Sequence, residues 1–313
     1  MEFRTPVAPL KGLEGVVGYG APVVFIGSCF SDNLGAELQA DLFDAVVNPF
    51  GPLYNPLSIQ RAVESLAHGS QPEFQLFENE GRWHSLEFHS RFSAATSDEA
   101  RRLMSRSVSD GADALKRASA VFITLGTTTV YLLKATGLPV ANCHKLPQSR
   151  FDLKHLSLDE CKTALRETMS KIREINPDAW IIFTVSPLRY LQDGQHANTL
   201  IKSILHLAIQ EVLGDRVGYF PSYEIMMDDL RDYRFYADDM KHPSALAVRY
   251  IYEIFTQSYM TPETVAVARE GRRLSRRLAH RDFSSQNTSV KELELLDRYP
   301  QLRCGYNRLY ANR

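Results

Sequence analysis

Short apolar runs of strand length, separated by segments with helical spacing, constrain this chain more than any other feature. The runs are PVVFIGS at 22–28, DAVVN at 44–48, AVFITLGTT at 120–128, WIIFTVSP at 180–187 and VGYFPSY at 217–223. They read as buried strands. Helical spacing follows the first run in SDNLGAELQAD, with Ser31 or Asp32 as the expected cap. A second helix is expected from Asn55-Pro56 through Ile59, Ala62, Val63 and Leu66, with the proline at a tolerated early position. Others are expected over 97–118, 157–175 and 198–213, and from Ser244 to Met260. Residues 70–96 break the rhythm and read as a hairpin insertion, with ENEG as its turn.

Alternation of this kind predicts a three-layer α/β/α sandwich around a mainly parallel sheet of about five strands. Right-handed crossovers put the loops that follow the strands on one edge. Ligands in open α/β sheets bind at that edge. The expected division is a single domain over 1–260, followed by a basic helical extension over 261–313. AREGRRLSRRLAHRDF opens that extension and reads as a solvated helix packed on the domain.

Composition enters by exclusion. The net charge is −1, so nothing suggests a surface for polyanions, and no nucleic-acid partner is expected. The apolar runs are too short to span a bilayer, and MEFRTPVAPLKGLEGVV has no unbroken apolar stretch of a secretory signal, so no membrane partner is expected. The 4 cysteines (Cys29, Cys143, Cys161 and Cys304) are scattered, with no metal or redox spacing. A reduced, cytoplasmic protein with no metal and no cofactor is the expectation.

Two segments at the predicted edge have the residue types that chemistry needs. Ser28, preceded by Gly27, ends the first strand just before a helix, where N–H groups and the helix dipole favour negative charge. The same dipeptide also suits a plain capped turn. Asp239-Met240-Lys241-His242-Pro243 stands before the last helix. One loop there offers a base and a carboxylate to orient it, with Asp238 as an adjacent substitute.

This order of serine and Asp-x-x-His resembles that of SGNH/GDSL-like hydrolases. More closely, the chain resembles the GSCFA family. The likeness rests on Gly27-Ser28-Cys29-Phe30-Ser31, NPFGPLYNP at 48–56, TLGTTTVY at 124–131, ANCHKLPQSRF at 141–151, TVSPLRY at 184–190 and FPSYEIMMDDLRDYRFYADDMKHPS at 220–244. It covers about 20–260.

The resemblance implies a flavodoxin-like sandwich and a serine hydrolase working through an acyl-enzyme. Ser28 would be the nucleophile, His242 the base and Asp239 its orienter. The implied substrate is a small-molecule or carbohydrate acyl ester, with acetyl among the acyl groups. An acyltransferase with a sugar or other alcohol acceptor, and a non-catalytic binding protein on the same scaffold, are the alternatives.

Such enzymes bind the oxyanion with a glycine after the second strand, here Gly51, and an asparagine after the third. This chain has Gly126-Thr127-Thr128-Thr129 in the latter place. Thr127, Thr128 and Asn142 are therefore rival donors. His144 is a candidate for the pocket wall, and Arg189 for an acidic substrate group. Cys29 is expected to face the core. Asn198 and Lys202 share one helix face and would line the cleft or brace its rim.

Overall fold

A computed structural model describes residues 4–68, 74–279 and 290–310. The elements in chain order are β1 (Val23–Gly27), α1 (Cys29–Ala40), β2 (Ala45–Val47), α2 (Pro56–His68), β3 (Phe77–Asn79), β4 (Arg82–His84), α3 (Ser97–Arg117) and β5 (Ala120–Leu125). Then follow β6 (Thr129–Leu133), β7 (Pro139–Val140), β8 (Phe151–His155), α4 (Leu158–Ile175), β9 (Trp180–Val185), α5 (Gly194–Gln210) and β10 (Val217–Tyr219). The chain continues through α6 (Ser222–Glu224), α7 (Ala245–Tyr259), α8 (Pro262–Ala279), α9 (Val290–Arg298) and α10 (Arg303–Tyr310).

The five apolar runs form one parallel sheet in the order β10-β9-β5-β1-β2. Successive strand residues point to opposite faces, so each central strand feeds two cores. Val24, Ile26, Val121, Ile123, Ile181 and Phe183 pack with α2, α3, α4 and α5 on one face. Val23, Phe25, Ala120, Phe122 and Ile182 pack with Phe30 and Leu34 of α1 and with Ile251, Phe255 and Tyr259 of α7 on the other. The result is the three-layer α/β/α arrangement.

Two smaller sheets flank this frame. The β3–β4 pair is the expected hairpin, turned at Glu80 (φ 50) and Gly81 (φ 71). Two positive φ values in succession match the twist of the flanking strands. Residues 70–73 of the expected insertion lie outside the described residues. The antiparallel sheet β7-β6-β8 was not expected. Most of its side chains are partly or fully exposed, so its sequence lacks the apolar run that marked the central strands.

Beyond α7 the chain packs on the loop after α1. Gly271 of α8 and Gly305 of α10 let their helices touch its backbone: a Cβ would fall 2.3 Å from Asp41 O at Gly271 and 2.0 Å from Leu42 O at Gly305. Arg272 pairs with Asp41 and, at 2.6 Å, with Glu37. Leu42 is buried with Leu274, Leu296 and Leu302.

Candidate functional site

The first strand sets the position of Ser28. Gly27 has φ 140, and a Cβ there would lie 2.2 Å from Thr124 O and 2.7 Å from Thr124 N in the adjacent strand. Only glycine permits that approach. The chain then enters α1 at once, with Ser28 itself as the N-cap: its Oγ accepts from Phe30 N at 3.3 Å. The expected caps, Ser31 and Asp32, are inside the helix. Ser31 is buried and donates to Thr124 Oγ1 at 2.8 Å. Asp32 lies in the first turn, where its charge suits the dipole, and accepts from Asn48 Nδ2 at 2.9 Å. The Asn48 Oδ1 atom accepts from Gly27 N at 2.8 Å, tying the second loop to the Ser28 turn.

His242 arrives by a different route. Its loop precedes α7, whose cap is Ser244. Asp239 Oδ1 accepts from the backbone N–H groups of Lys241 and His242, both at 2.9 Å. Its Oδ2 lies 2.5 Å from His242 Nδ1. A carboxylate can only accept there, so Nδ1 carries the hydrogen and Nε2 is the ring's free nitrogen. The N–H of His242, its ring and the N–H of Lys241 hold the Asp239 carboxyl well below the usual carboxylate range. Both side chains are exposed, 46% for Asp239 and 47% for His242, so the pair is held by its own loop.

Ser28 and His242 open onto one cavity of about 580 Å³, at the carboxyl ends of β1, β5 and β9. They are not hydrogen-bonded to each other. Thr127 and Asn142 line this cavity too, as do Tyr54, Asn55, Tyr131, Cys143, Ser186, Leu188 and Tyr190. Asn55 and Asn142 share a useful feature. Each has its Oδ1 engaged by a backbone N–H, from Ser58 at 2.9 Å and from His144 at 2.8 Å. The Nδ2 donor of each is left as the free end. By contrast, the N–H groups of Gly126 and Thr127 both donate to Tyr54 O, at 2.8 and 2.9 Å. Thr127 Oγ1 accepts from Thr129 N at 3.0 Å, and its own hydroxyl hydrogen remains available.

Four other sequence candidates lie away from the cavity wall. Gly51 has φ 83 and packs against His89, and its N–H donates to Asn48 O at 2.7 Å. Thr128 is buried beneath the wall. His144 is buried against the hairpin, with Nε2 donating to the Ser85 and Phe88 carbonyls at 2.8 and 2.9 Å. Burial pushes its pKa down. Arg189 lines a neighbouring cleft of about 610 Å³ with Tyr223, Arg231, Asp232, Tyr233 and Met240. Its Nε contacts the Met227 sulfur at 3.4 Å. Cys29, expected in the core, is half-buried and lines the cavity. Burial first, then the charge of Asp32, pushes its thiol up, which opposes thiolate formation.

Sequence reasoning did not single out Asn55 as a cavity residue. It read Asn-Pro as the start of α2, which is correct, and a capping asparagine gives no sign of where its amide points. Lys202 was placed on the right helix face but read as a cleft or rim residue. It is 2% exposed, and its Nζ donates to Gly126 O at 2.8 Å and Ser186 O at 3.1 Å. Among the described residues, no group of three or more His, Cys, Asp and Glu side chains is placed to hold a metal ion. No described helix is long and apolar enough to cross a membrane.

The family model for GSCFA matches residues 22–255, which include β1, the Ser28 turn, the cavity walls and the Asp239–His242 loop. The chain belongs to the GSCFA family. The match stops within α7, so α8–α10 lie outside the shared family region. A search of curated proteins returned no match. Among solved structures, the chain is similar to an acetyl xylan esterase from the rumen bacterium Butyrivibrio proteoclasticus, with 11% identity and a TM-score of 0.36. That alignment covers 76% of this chain and 63% of the esterase, and likeness at this level has no weight for the site.

Proposed function

We propose that this chain is a serine-dependent ester hydrolase of the SGNH type. The observation behind the reading is the convergence of Ser28, at a helix N-terminus, and the Asp239–His242 pair on one cavity. In this reading Ser28 Oγ attacks the acyl carbonyl and His242 Nε2 takes its proton. Asp239 fixes the ring through Nδ1 and stabilises the imidazolium that forms. The tetrahedral oxyanion takes hydrogen bonds from Asn55 Nδ2 and Asn142 Nδ2, which stand in for the missing third-strand asparagine. Collapse expels the alcohol, which receives the proton from Nε2. Water then attacks the Ser28 acyl ester by the same steps and releases the acid. Catalytic hydrogen bonds often lengthen without substrate, so the absence of a Ser28–His242 bond in this structure is compatible with the scheme.

The cavity also suits a small ester. Leu188, Val140, Ala141 and the rings of Tyr54, Tyr131 and Tyr190 give it apolar walls around a few polar groups. Hydrolysis of p-nitrophenyl acetate and of longer acyl esters tests the proposal. Turnover by the wild type that is lost in Ser28→Ala supports it. Turnover that survives in Ser28→Ala, with the protein folded, overturns it. Free acid must also accumulate without an added alcohol, since a strict need for an acceptor makes the enzyme a transferase.

A further inference from the structure

Lys202 has surroundings that a structural lysine does not need. It lies on α5 and is buried. Among the described residues, its ammonium is bonded only to the carbonyls of Gly126 and Ser186, the residues that follow the central strands β5 and β9 and line the Ser28 cavity. No described carboxylate forms an ion pair with it. The ring of Tyr223 lies 5.7 Å from its Nζ. Nearby, Ser186 Oγ and Asn198 Nδ2 are buried with no hydrogen-bond partner among the described residues. A cation buried without a counter-ion is costly to desolvate.

A developing oxyanion on the other side of those two carbonyls would supply the missing negative charge. Without Lys202, the Gly126 and Ser186 oxygens would lose the donor that holds them. With it, both are held and their field is offset. We infer that Lys202 is the electrostatic positioning residue of this site: its buried ammonium fixes the Gly126 and Ser186 walls and favours the oxyanion formed when Ser28 is acylated. This inference rests on the Ser28 reading above.

The pH dependence separates charge from bracing. Burial pushes the Lys202 ammonium down to about 7, partly opposed by Cys29. The groups facing it are Cys29 from α1, Tyr223 from α6 and, one turn along α5, His206, which faces Glu224 at 3.6 Å. Above about 7 the amine is neutral, yet an amine still has hydrogens for both carbonyls. A brace would therefore survive at pH 9, and an electrostatic role would not. The linkage has a definite sign. The unfolded chain binds the Lys202 proton up to about pH 10.4 and the folded chain releases it earlier, so this residue makes stability rise with pH across that window.

The test uses a fluorophosphonate probe, whose attack by Ser28 builds the same kind of charge. The maximal rate and half-saturating concentration of Ser28 labelling are measured against pH for wild type, Lys202→Met, Lys202→Gln and Ser28→Ala. The expected result is a maximal rate lower by about 10- to 100-fold in both neutral variants at pH 6, with half-saturation changed less than about threefold. The wild-type rate should fall as pH rises through about 7, and both variants should lose that alkaline limb. A cooperative melt confirms folding. Wild-type stability should rise relative to Lys202→Met between pH 7 and pH 10. An unchanged rate in a folded Lys202→Met, or an alkaline limb that persists in it, overturns the inference alone. Wild-type protein that is not labelled at Ser28 overturns the hydrolase reading and this inference with it. If both variants fail to fold, a wild-type rate that does not fall between about pH 7 and 9 overturns the inference, and a fall there supports it.

Discussion

Ser28 and His242 meet at one cavity but are held there by opposite means. Ser28 is 1% exposed and is fixed by the sheet: its turn exists because Gly27 presses against Thr124 and because Asn48 from the next loop braces it. His242 is nearly half exposed and is fixed by its own loop, through two contacts with Asp239 three residues earlier and a third from Lys241 to the same carboxylate. The difference separates fold from chemistry. The turn that carries the serine is part of the core, so changing Gly27 damages folding and function together, while removing only the Ser28 hydroxyl leaves the turn in place. The histidine side is a local device on the surface, so changing it should remove function and leave the fold intact.

The comparison can be broken at the histidine. His242→Ala should lower p-nitrophenyl acetate turnover by about 10⁴-fold, a barrier of roughly 5.5 kcal/mol, because the proton has no acceptor. Its urea midpoint should stay near wild type, since exposed substitutions usually change stability by under about 0.5 kcal/mol. A large fall in stability would mean that the loop belongs to the folding core after all. Gly27→Ala tests the other half. A Cβ inside 3 Å of three Thr124 backbone atoms, at φ 140, should cost about 3 kcal/mol or more in urea unfolding. A variant as stable as wild type would contradict the sheet-built account of Ser28.

How much of this was legible in the sequence follows the same division. The central strands were readable because both of their faces are buried, which leaves runs such as VVFI with no polar interruption. The β6–β8 sheet was not readable, because its exposed positions follow no apolar pattern. At the site, Ser28 and His242 were marked by position relative to strands and helices, and both reach the cavity. Gly51 and His144 were chosen by resemblance, and their polar groups are spent on backbone contacts that periodicity does not encode, local for Gly51 and with the distant hairpin segment for His144. Lys202 was read as a residue that lines the cleft or braces its rim. Its burial depends on α5 crossing the ends of β5 and β9, which is a tertiary fact.

The smallest expected effect sharpens the picture of the loop. Asp239 should lose its charge at a lower pH than an ordinary aspartate does. The sign is that of a depressed carboxylate. Its contribution is complete above the unfolded value near 4 and is lost as pH falls through the lower folded value. Carboxyl NMR titration would show this, and an ordinary titration curve would mean that the Asp239–His242 contact is not maintained in solution.

The central claim is that Ser28 is an activated nucleophile, and the most direct measurement is covalent labelling. Wild-type protein is treated with a fluorophosphonate probe beside Ser28→Ala and His242→Ala, and the adduct is located by peptide mass spectrometry. The account predicts one adduct on Ser28, absent from Ser28→Ala and almost absent from His242→Ala. An adduct on another residue such as Cys29, or folded wild-type protein that takes no label, would contradict it.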